Sequence, residues 1–314
     1  MSIVKISDIS HVRFTAPDLR RMEEFLVQFG LTPTLWPDGV LYARGAGAAP
    51  FLHATALGEP DFAALGLRAD SLANLDALAR ADGARVEHLD APGGGKVVRL
   101  RDPDGRLVEV VAGQTPAEPL PLQAENPRNS AAAHPRIRAP VRLRPGPATV
   151  IRLGHCVLAV SDFRRAEAWY KSRFGFITSD EIEAAPGVAI GAFLRCDRGD
   201  TPTDHHTLFL LQSPSGPGFQ HAAFEVADMD DLMRGHTHLK KADRQAAWGV
   251  GRHILGSQIF DYWKDPWGHE VEHWTDGDLF VAADGSNTKT LHDVLNVQWG
   301  PAHPMLAGIE GGHS

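Results

Sequence analysis

Gly251-Arg252-His253-Ile254-Leu255-Gly256-Ser257-Gln258-Ile259-Phe260-Asp261-Tyr262-Trp263-Lys264-Asp265-Pro266-Trp267-Gly268-His269-Glu270-Val271-Glu272 reads as a strand, a tight turn and a second strand. Residues 257–263 are rich in apolar and aromatic side chains. Asp265-Pro266-Trp267-Gly268 is a turn: proline presets one dihedral and glycine supplies a positive φ. Residues 269–274 then alternate, with Glu270 and Glu272 on one face and Val271 and His273 on the other. A carboxylate on a core strand is costly unless it is paired or binds a metal. His253, Tyr262 and Glu272 are therefore the first candidates for a site.

The same punctuation occurs earlier in the chain. Asp102-Pro103-Asp104-Gly105 matches the turn at 265–268, and Glu109 stands where Glu272 stands. Leu153-Gly154-His155 resembles Ile9-Ser10-His11, and each His is followed seven residues later by an Asp, Asp18 or Asp162, suited to cap a helix. Leu19, Met22, Leu26 and Phe29 recur at helical spacing, as do Phe163, Ala166, Tyr170 and Phe174; Gly30 and Gly175 end the two helices. Strands are expected at residues 9–15, 40–44, 50–57, 62–68, 97–101 and 107–111, with a helix at 71–82. The second half adds strands at 191–196, 207–212 and 219–226, the last matching 62–69. The chain is an internal duplication. Its expected divisions are 1–113, a Pro- and Arg-rich connector at 114–150, a second domain at 151–275, and a tail at 276–314 without a counterpart, possible as a cover over a site.

Composition narrows the function. In 314 residues there are 31 Lys and Arg against 39 Asp and Glu, a net charge of −8, with no dense basic run to bind nucleic acid. Two cysteines, Cys156 and Cys196, do not make a disulfide framework. No stretch has the length and apolarity of a membrane span or a signal-peptide core, so a cytoplasmic location is expected, and a homo-oligomer with it. Sixteen histidines suit metal or acid–base chemistry.

His155, His221 and Glu272, followed through His253, Tyr262 and the Asp265–Gly268 turn, carry a family likeness. The chain resembles the vicinal oxygen chelate superfamily, and within it the two-domain type I extradiol ring-cleavage dioxygenases, over nearly its whole length. Ser257-Gln258-Ile259-Phe260-Asp261-Tyr262-Trp263 and the segments 285–287 and 298–301 are similar to trihydroxytoluene oxygenase-like members. Asp261 and Gly256 depart from the usual pattern, in which an apolar residue precedes the Tyr and some relatives carry Asp at the glycine. The resemblance implies an α+β fold of tandem βαβββ modules in two duplicated domains, each with a curved sheet around a funnel. It implies His155, His221 and Glu272 as ligands of Fe(II), with Mn(II) as the other candidate. Two imidazoles and one carboxylate on one face leave the other face open to a diol and O2.

The resemblance also implies His206 as the acid–base residue, His253 as a partner of a substrate oxygen and Tyr262 as a phenol near the same oxygen. The expected substrate is a catechol-type or trihydroxylated ring, cleaved beside the vicinal diol by insertion of both atoms of O2 to a muconic semialdehyde-type product. Neighbouring strand side chains point to opposite faces, so His205 is expected to point outward. Cys156, Trp267 and Trp274 read as core or packing residues; His236, His238, His303 and His313 read as solvated; Phe193, Gln258 and His269 have no role established by the sequence. In the first half His11 and Glu109 survive but Ala64 stands where His221 would, so this half is expected to lack a complete metal site, with His53 as a conceivable substitute ligand. The rival readings are another metal-dependent enzyme of the superfamily (an isomerase, lyase or thiol transferase) and a non-catalytic small-molecule-binding protein. The rival enzymes lack the His206, His253 and Tyr262 set.

Overall fold

The structure, a computed structural model, describes residues 2–122 and 127–306. The first half runs β1 (Ile6–Ala16), α1 (Leu19–Phe29), β2 (Thr32–Leu35), β3 (Leu41–Arg44), β4 (His53–Leu57), β5 (Asp61–Ala69), α2 (Leu72–Asp82), β6 (Val86–His88), β7 (Lys96–Arg101) and β8 (Leu107–Ala112). The second half begins with β9 (Val150–Val160), α3 (Phe163–Phe174), β10 (Ile177–Ala185), β11 (Val188–Arg195), β12 (Thr203–Asp204) and β13 (Leu208–Gln212). It continues with β14 (Gly218–Val226), α4 (Met229–Lys241), β15 (Ala246–His253), β16 (Ile259–Lys264) and β17 (Glu270–Thr275). The tail adds β18 (Leu279–Phe280), β19 (Asn287–Thr290), α5 (Leu291–Leu295) and β20 (Val297–Trp299). Among the described residues, no helix is long and apolar enough to cross a membrane.

Each half forms one large mixed sheet, and β12 pairs with β18 in a separate two-stranded one. The first has the order β2-β3-β4-β1-β5-β8-β7-β6, and the core of the second has β10-β11-β13-β9-β14-β17-β16-β15. Apart from the added β12, these are the same βαβββ pair element for element, giving the α+β vicinal oxygen chelate architecture. Asp18 and Asp162 accept from the backbone N–H groups of Arg21 and Arg165, and Gly30 and Gly175 take the left-handed conformation that ends each helix. The α1 side chains Met22, Phe25, Leu26 and Phe29 are all buried.

The halves are clasped by their helices. Phe29 of α1 stacks on His273 of β17 with ring centres 3.9 Å apart, and His273 Nε2 donates to the Phe29 carbonyl at 2.7 Å. In return the Tyr170 hydroxyl of α3 donates to Asp102 of the first half at 3.2 Å. Phe29→Ala would remove a side chain buried between the sheets, and such losses cost about 3–5 kcal/mol.

The sequence reading missed β2, β6, β10 and β15, which are short, polar or rich in small residues. In the connector, Ala117 N–H and Leu120 N–H donate to the Ala48 and Ala46 carbonyls, tying it along the first half. The tail, which has no counterpart in the first half, supplies both outermost strands of the second sheet. β19 lies parallel to β10 at one end, and β20 pairs with β15 at the other. Six residues, 291–296, separate these two strands. A chain spans at most ~3.6 Å per residue, so the two edges of the sheet stand within roughly 25 Å of each other. The sheet must therefore curl strongly about a central hollow.

Candidate metal centre and its proton-carrying neighbours

β9, β14 and β17 lie side by side in the middle of the curled sheet. Ala223 of β14 is opposite His155 of β9 and level with Glu272 of β17. His221 lies two residues along β14 from Ala223 and so points to the same face. The methyl of Ala223 leaves the space between the larger side chains free. His155, His221 and Glu272 consequently present ligand atoms that all lie within 4.8 Å of one another. His155 Nε2 and His221 Nε2 each stand 3.3 Å from Glu272 Oε2.

The donor set fits a divalent metal. Glu272 is fully buried, yet among the described residues neither carboxylate oxygen has a hydrogen-bond donor; His221 Nε2 is also buried without a partner. A buried carboxylate without donors is costly, and a bound cation supplies the missing compensation. Burial alone would raise the Glu272 carboxyl, but the imidazoles of His155 and His221 outweigh it and hold Glu272 well below the usual carboxylate range. Burial also lowers His155, against the pull of Glu272. An ionised carboxylate and a neutral imidazole are the forms that bind a metal.

Tyr262 of β16 is directly opposite Glu272, and its ring stands edge-on to His221 with centres 5.0 Å apart. His253, at the end of β15, places Nε2 3.1 Å from the Tyr262 hydroxyl and 3.9 Å from Glu272 Oε1. Burial pulls His253 down to about 4, and burial with the nearby Glu272 charge pushes Tyr262 well above its ordinary value. Both are neutral near pH 7. Asp261 points to the opposite face, where it accepts from Trp263 Nε1 at 2.6 Å and meets His236 Nδ1 at 3.1 Å.

His206 tilts over His155 with ring centres 4.1 Å apart and meets the edge of Phe193 at 4.8 Å. Burial lowers it well below the ordinary imidazole value, helped by the surrounding histidines. The sequence expectation for His205 is corrected. This residue is 1% exposed, with Nδ1 3.0 Å from His206 Nδ1 and Nε2 2.7 Å from Asp180 Oδ2. Residues 205–207 lie between β12 and β13, so strand alternation does not govern them.

His236 and His303 are not simply solvated. His236 bonds Asp261, and His303 packs edge-on against Trp248 with ring centres 4.5 Å apart. Trp248 in turn lies against His253, Phe260 and Tyr262, a role with no sequence signal beyond a Trp on a polar strand. His238 is half-buried, and His313 lies outside the described residues. Gln258 is buried, and His269 bonds Asp265 beside the turn. Cys156 and Trp274 are buried, and Trp267 is partly so.

The first half shows what the same register becomes without His221. Gly66 is opposite His11 and level with Glu109, and Ala64 falls at the His221 position. Arg99 is opposite Glu109, as Tyr262 is opposite Glu272. Glu109 receives His11 Nε2 at 2.8 Å, Arg13 Nε at 2.7 Å and Arg99 Nε at 2.9 Å. Two guanidiniums thus supply positive charge around this carboxylate. His53 stacks on Phe14 and approaches Thr55, with no contact to Glu109.

Residues 152–273 match the Glyoxalase/Bleomycin resistance protein/Dioxygenase superfamily. The chain is 30% identical over 308 residues to metapyrocatechase 2 of Cupriavidus necator, covering 95% of this chain and 90% of that one. It is 32% identical over 133 residues to an iron-dependent extradiol dioxygenase of Rhodococcus jostii, covering 40% and 43% of the two chains. The Mn(II)-bound glyoxalase of Novosphingobium aromaticivorans superposes with a TM-score of 0.76 at 23% identity, covering 96% of this chain and 93% of the other, a likeness of fold.

Proposed function

We propose that this chain, which belongs to the extradiol ring-cleaving dioxygenases of the vicinal oxygen chelate superfamily, uses His155, His221 and Glu272 to hold Fe(II), or Mn(II) in its place, and opens a catechol-type or trihydroxylated ring beside its vicinal diol. The observation that carries the residue assignment is the fully buried, donor-free Glu272 carboxylate between two imidazoles. Held by His155, His221 and Glu272, the metal would supply a route for electron density from ring to oxygen, which the direct, spin-forbidden reaction does not allow.

The chain's own residues do the rest. His206 accepts a proton as the diol binds and returns one as oxygen is inserted; a neutral imidazole is ready for the first of these tasks. The hydrogen-bonded pair of His253 and Tyr262 meets a diol oxygen and orients the ring. Phe193, Phe209 and Leu255, with Leu291 and Val294 of the tail packed on the same apolar cluster, keep water from the side of the site nearest His206. Gln298 Nε2 donates to the His253 carbonyl at 2.9 Å, so the tail also steadies the substrate-facing histidine. In this reading residues 151–275 are the catalytic domain, 1–113 the domain without a complete metal site, 114–150 the connector and 276–314 a cover.

The partners are the aromatic diol and O2. A net charge of −8 favours no nucleic-acid partner, and the expected state is a cytoplasmic homo-oligomer, for which light scattering of the purified protein is the test. An oxygen-electrode screen of catechols and trihydroxybenzenes with anaerobically Fe(II)-loaded protein tests the activity. Oxygen uptake with loss of the ring chromophore is expected for at least one diol. Substrate isomerised or bound without oxygen uptake would favour the superfamily's other enzymes or a binding protein.

A further inference from the structure

Beyond the groups that face the substrate, a chain of buried polar side chains leads away from His206. His206 Nδ1 meets His205 Nδ1 at 3.0 Å, and His205 Nε2 meets Asp180 Oδ2 at 2.7 Å. Asn287 Nδ2, from the tail strand β19, donates to the other Asp180 oxygen at 3.3 Å. His205 itself is fixed at both ends of its backbone. Its N–H donates to the Asp278 carbonyl at 2.9 Å, and its carbonyl accepts from Ser179 Oγ at 2.6 Å. Ser179 Oγ in turn accepts from the buried Arg195 at 2.9 Å. Such an arrangement exceeds what packing two histidines needs.

We infer that His205 and Asp180 are positioning residues that lock His206 in its Nδ1–H tautomer and so leave Nε2 as the nitrogen that exchanges protons with substrate. This rests on the reading of His206 as the proton carrier. A carboxylate only accepts, so His205 must present its Nε2–H to Asp180. When His205 carries only that proton, its Nδ1 has a lone pair, and the 3.0 Å contact then takes its donor from the other ring. That donor is His206 Nδ1–H. Burial raises the Asp180 carboxyl, but its pairing with His205 outweighs this and leaves it below the usual range, ionised and accepting. Protonation of His206 on Nε2 keeps every bond in the chain and adds a cation whose charge faces Asp180 through His205. With no such chain, the two neutral tautomers of an imidazole lie close in energy, and the wrong one cannot take a proton on the substrate side.

The test uses full-length protein labelled with 15N-histidine, both metal-free and loaded with diamagnetic Zn(II). The His206 nitrogen shifts are expected to report a protonated Nδ1 and a bare Nε2 in the wild type, and a mixture in Asp180→Asn. Losses of outer partners that orient a functional imidazole typically cost 10–100-fold, so kcat of the Fe(II) form should fall by about that factor in Asp180→Asn, with KM and bound metal unchanged. Asp180→Glu should recover part of the loss. Asp180→Asn combined with His206→Phe should be no slower than His206→Phe alone. A wild-type spectrum showing Nε2–H on His206 would overturn the inference, as would losses that multiply in the double variant. If Asp180→Asn does not fold, His205→Phe takes its place, and the wild-type spectrum decides without any variant. A wild-type rate for His206→Phe would sink the reading of His206 as proton carrier, while the nitrogen shifts would still judge the tautomer lock.

Discussion

Replacing Glu272 separates a carboxylate held for a metal from one that is already paired. It is fully buried, with two imidazole nitrogens at 3.3 Å and no hydrogen-bond donor on either oxygen among the described residues. In the wild type, a divalent ion at a free concentration of about 100 times its Kd should stabilise the fold by roughly 2.7 kcal/mol. With an unfolding entropy of ~2.1 cal/mol/K per residue, that is a rise in Tm of about 4 °C if the chain unfolds as a unit, and about twice that if the second half unfolds by itself. Glu272→Ala and the isosteric Glu272→Gln should both lose this rise, the bound metal and turnover. The metal-free comparison is the sharper one. Glu272→Gln keeps the volume but loses the charge that the imidazoles of His155 and His221 favour in the folded chain, so metal-free Glu272→Gln should be weaker than metal-free wild type, by well under the cost of a broken buried ion pair. Differential scanning fluorimetry with and without Fe(II) under argon, read beside metal analysis, makes the measurement. A metal-induced rise that survives in both variants would refute the ligand assignment. A metal-free Glu272→Gln weaker by about 3–5 kcal/mol, the usual cost of breaking a buried ion pair, would show that the carboxylate was already satisfied by a protonated histidine.

Metal analysis of the Fe(II)-loaded protein should give about one ion per chain, because Ala64 cannot ligate and Arg13 and Arg99 already answer Glu109; two equally occupied ions would overturn that account of the first half. His206→Phe should keep the metal and still bind catechols but slow ring cleavage by roughly 10²–10⁴-fold, or release hydrogen peroxide; full rate with full coupling to oxygen would move the proton to His253, Tyr262 or water. His253→Phe should raise KM as well as lower kcat, since its partner is the substrate oxygen; steady-state kinetics showing kcat alone affected would contradict this. Asp8→Asn tests a group that is not a ligand of the metal centre. Burial beside Asp204 raises Asp8 to about 6 despite Arg152, so the folded chain binds its proton more tightly than the unfolded chain. Stability is then lost as pH climbs from about 4 to 6, and Asp8→Asn should gain on the order of 1 kcal/mol above pH 6 and nothing below pH 4 in urea titrations.

What the sequence displayed and what it hid follow from where the information resides. The duplication was legible because caps, turns and glycines are local: Asp18 and Asp162, Gly30 and Gly175, and the two Asp-Pro turns each dictate their own geometry. His155, His221 and Glu272 were legible through the family resemblance, with the repeat in support only for His155 and Glu272, whose counterparts are His11 and Glu109, since Ala64 stands where His221 does. His205 was misread because strand alternation was applied to a segment that is not a strand. Asp180, Trp248 and His303 carried no local mark; they reach the site only through β10, β15 and a tail that pairs at both edges of the sheet. Arg99 was invisible for the same reason, since its place opposite Glu109 appears only once β7 and β8 are aligned.

The most direct test of ring cleavage is a reaction under 18O2. Fe(II)-loaded protein is mixed anaerobically with a diol that supports oxygen uptake, then with 18O2, and the product is trapped and weighed by mass spectrometry. An extradiol dioxygenase must place both atoms of one O2 in the ring-opened acid, so a product four mass units heavier than with ordinary oxygen is expected, less whatever aldehyde oxygen exchanges with water. A product that carries no label, or that keeps an intact ring, would contradict the account.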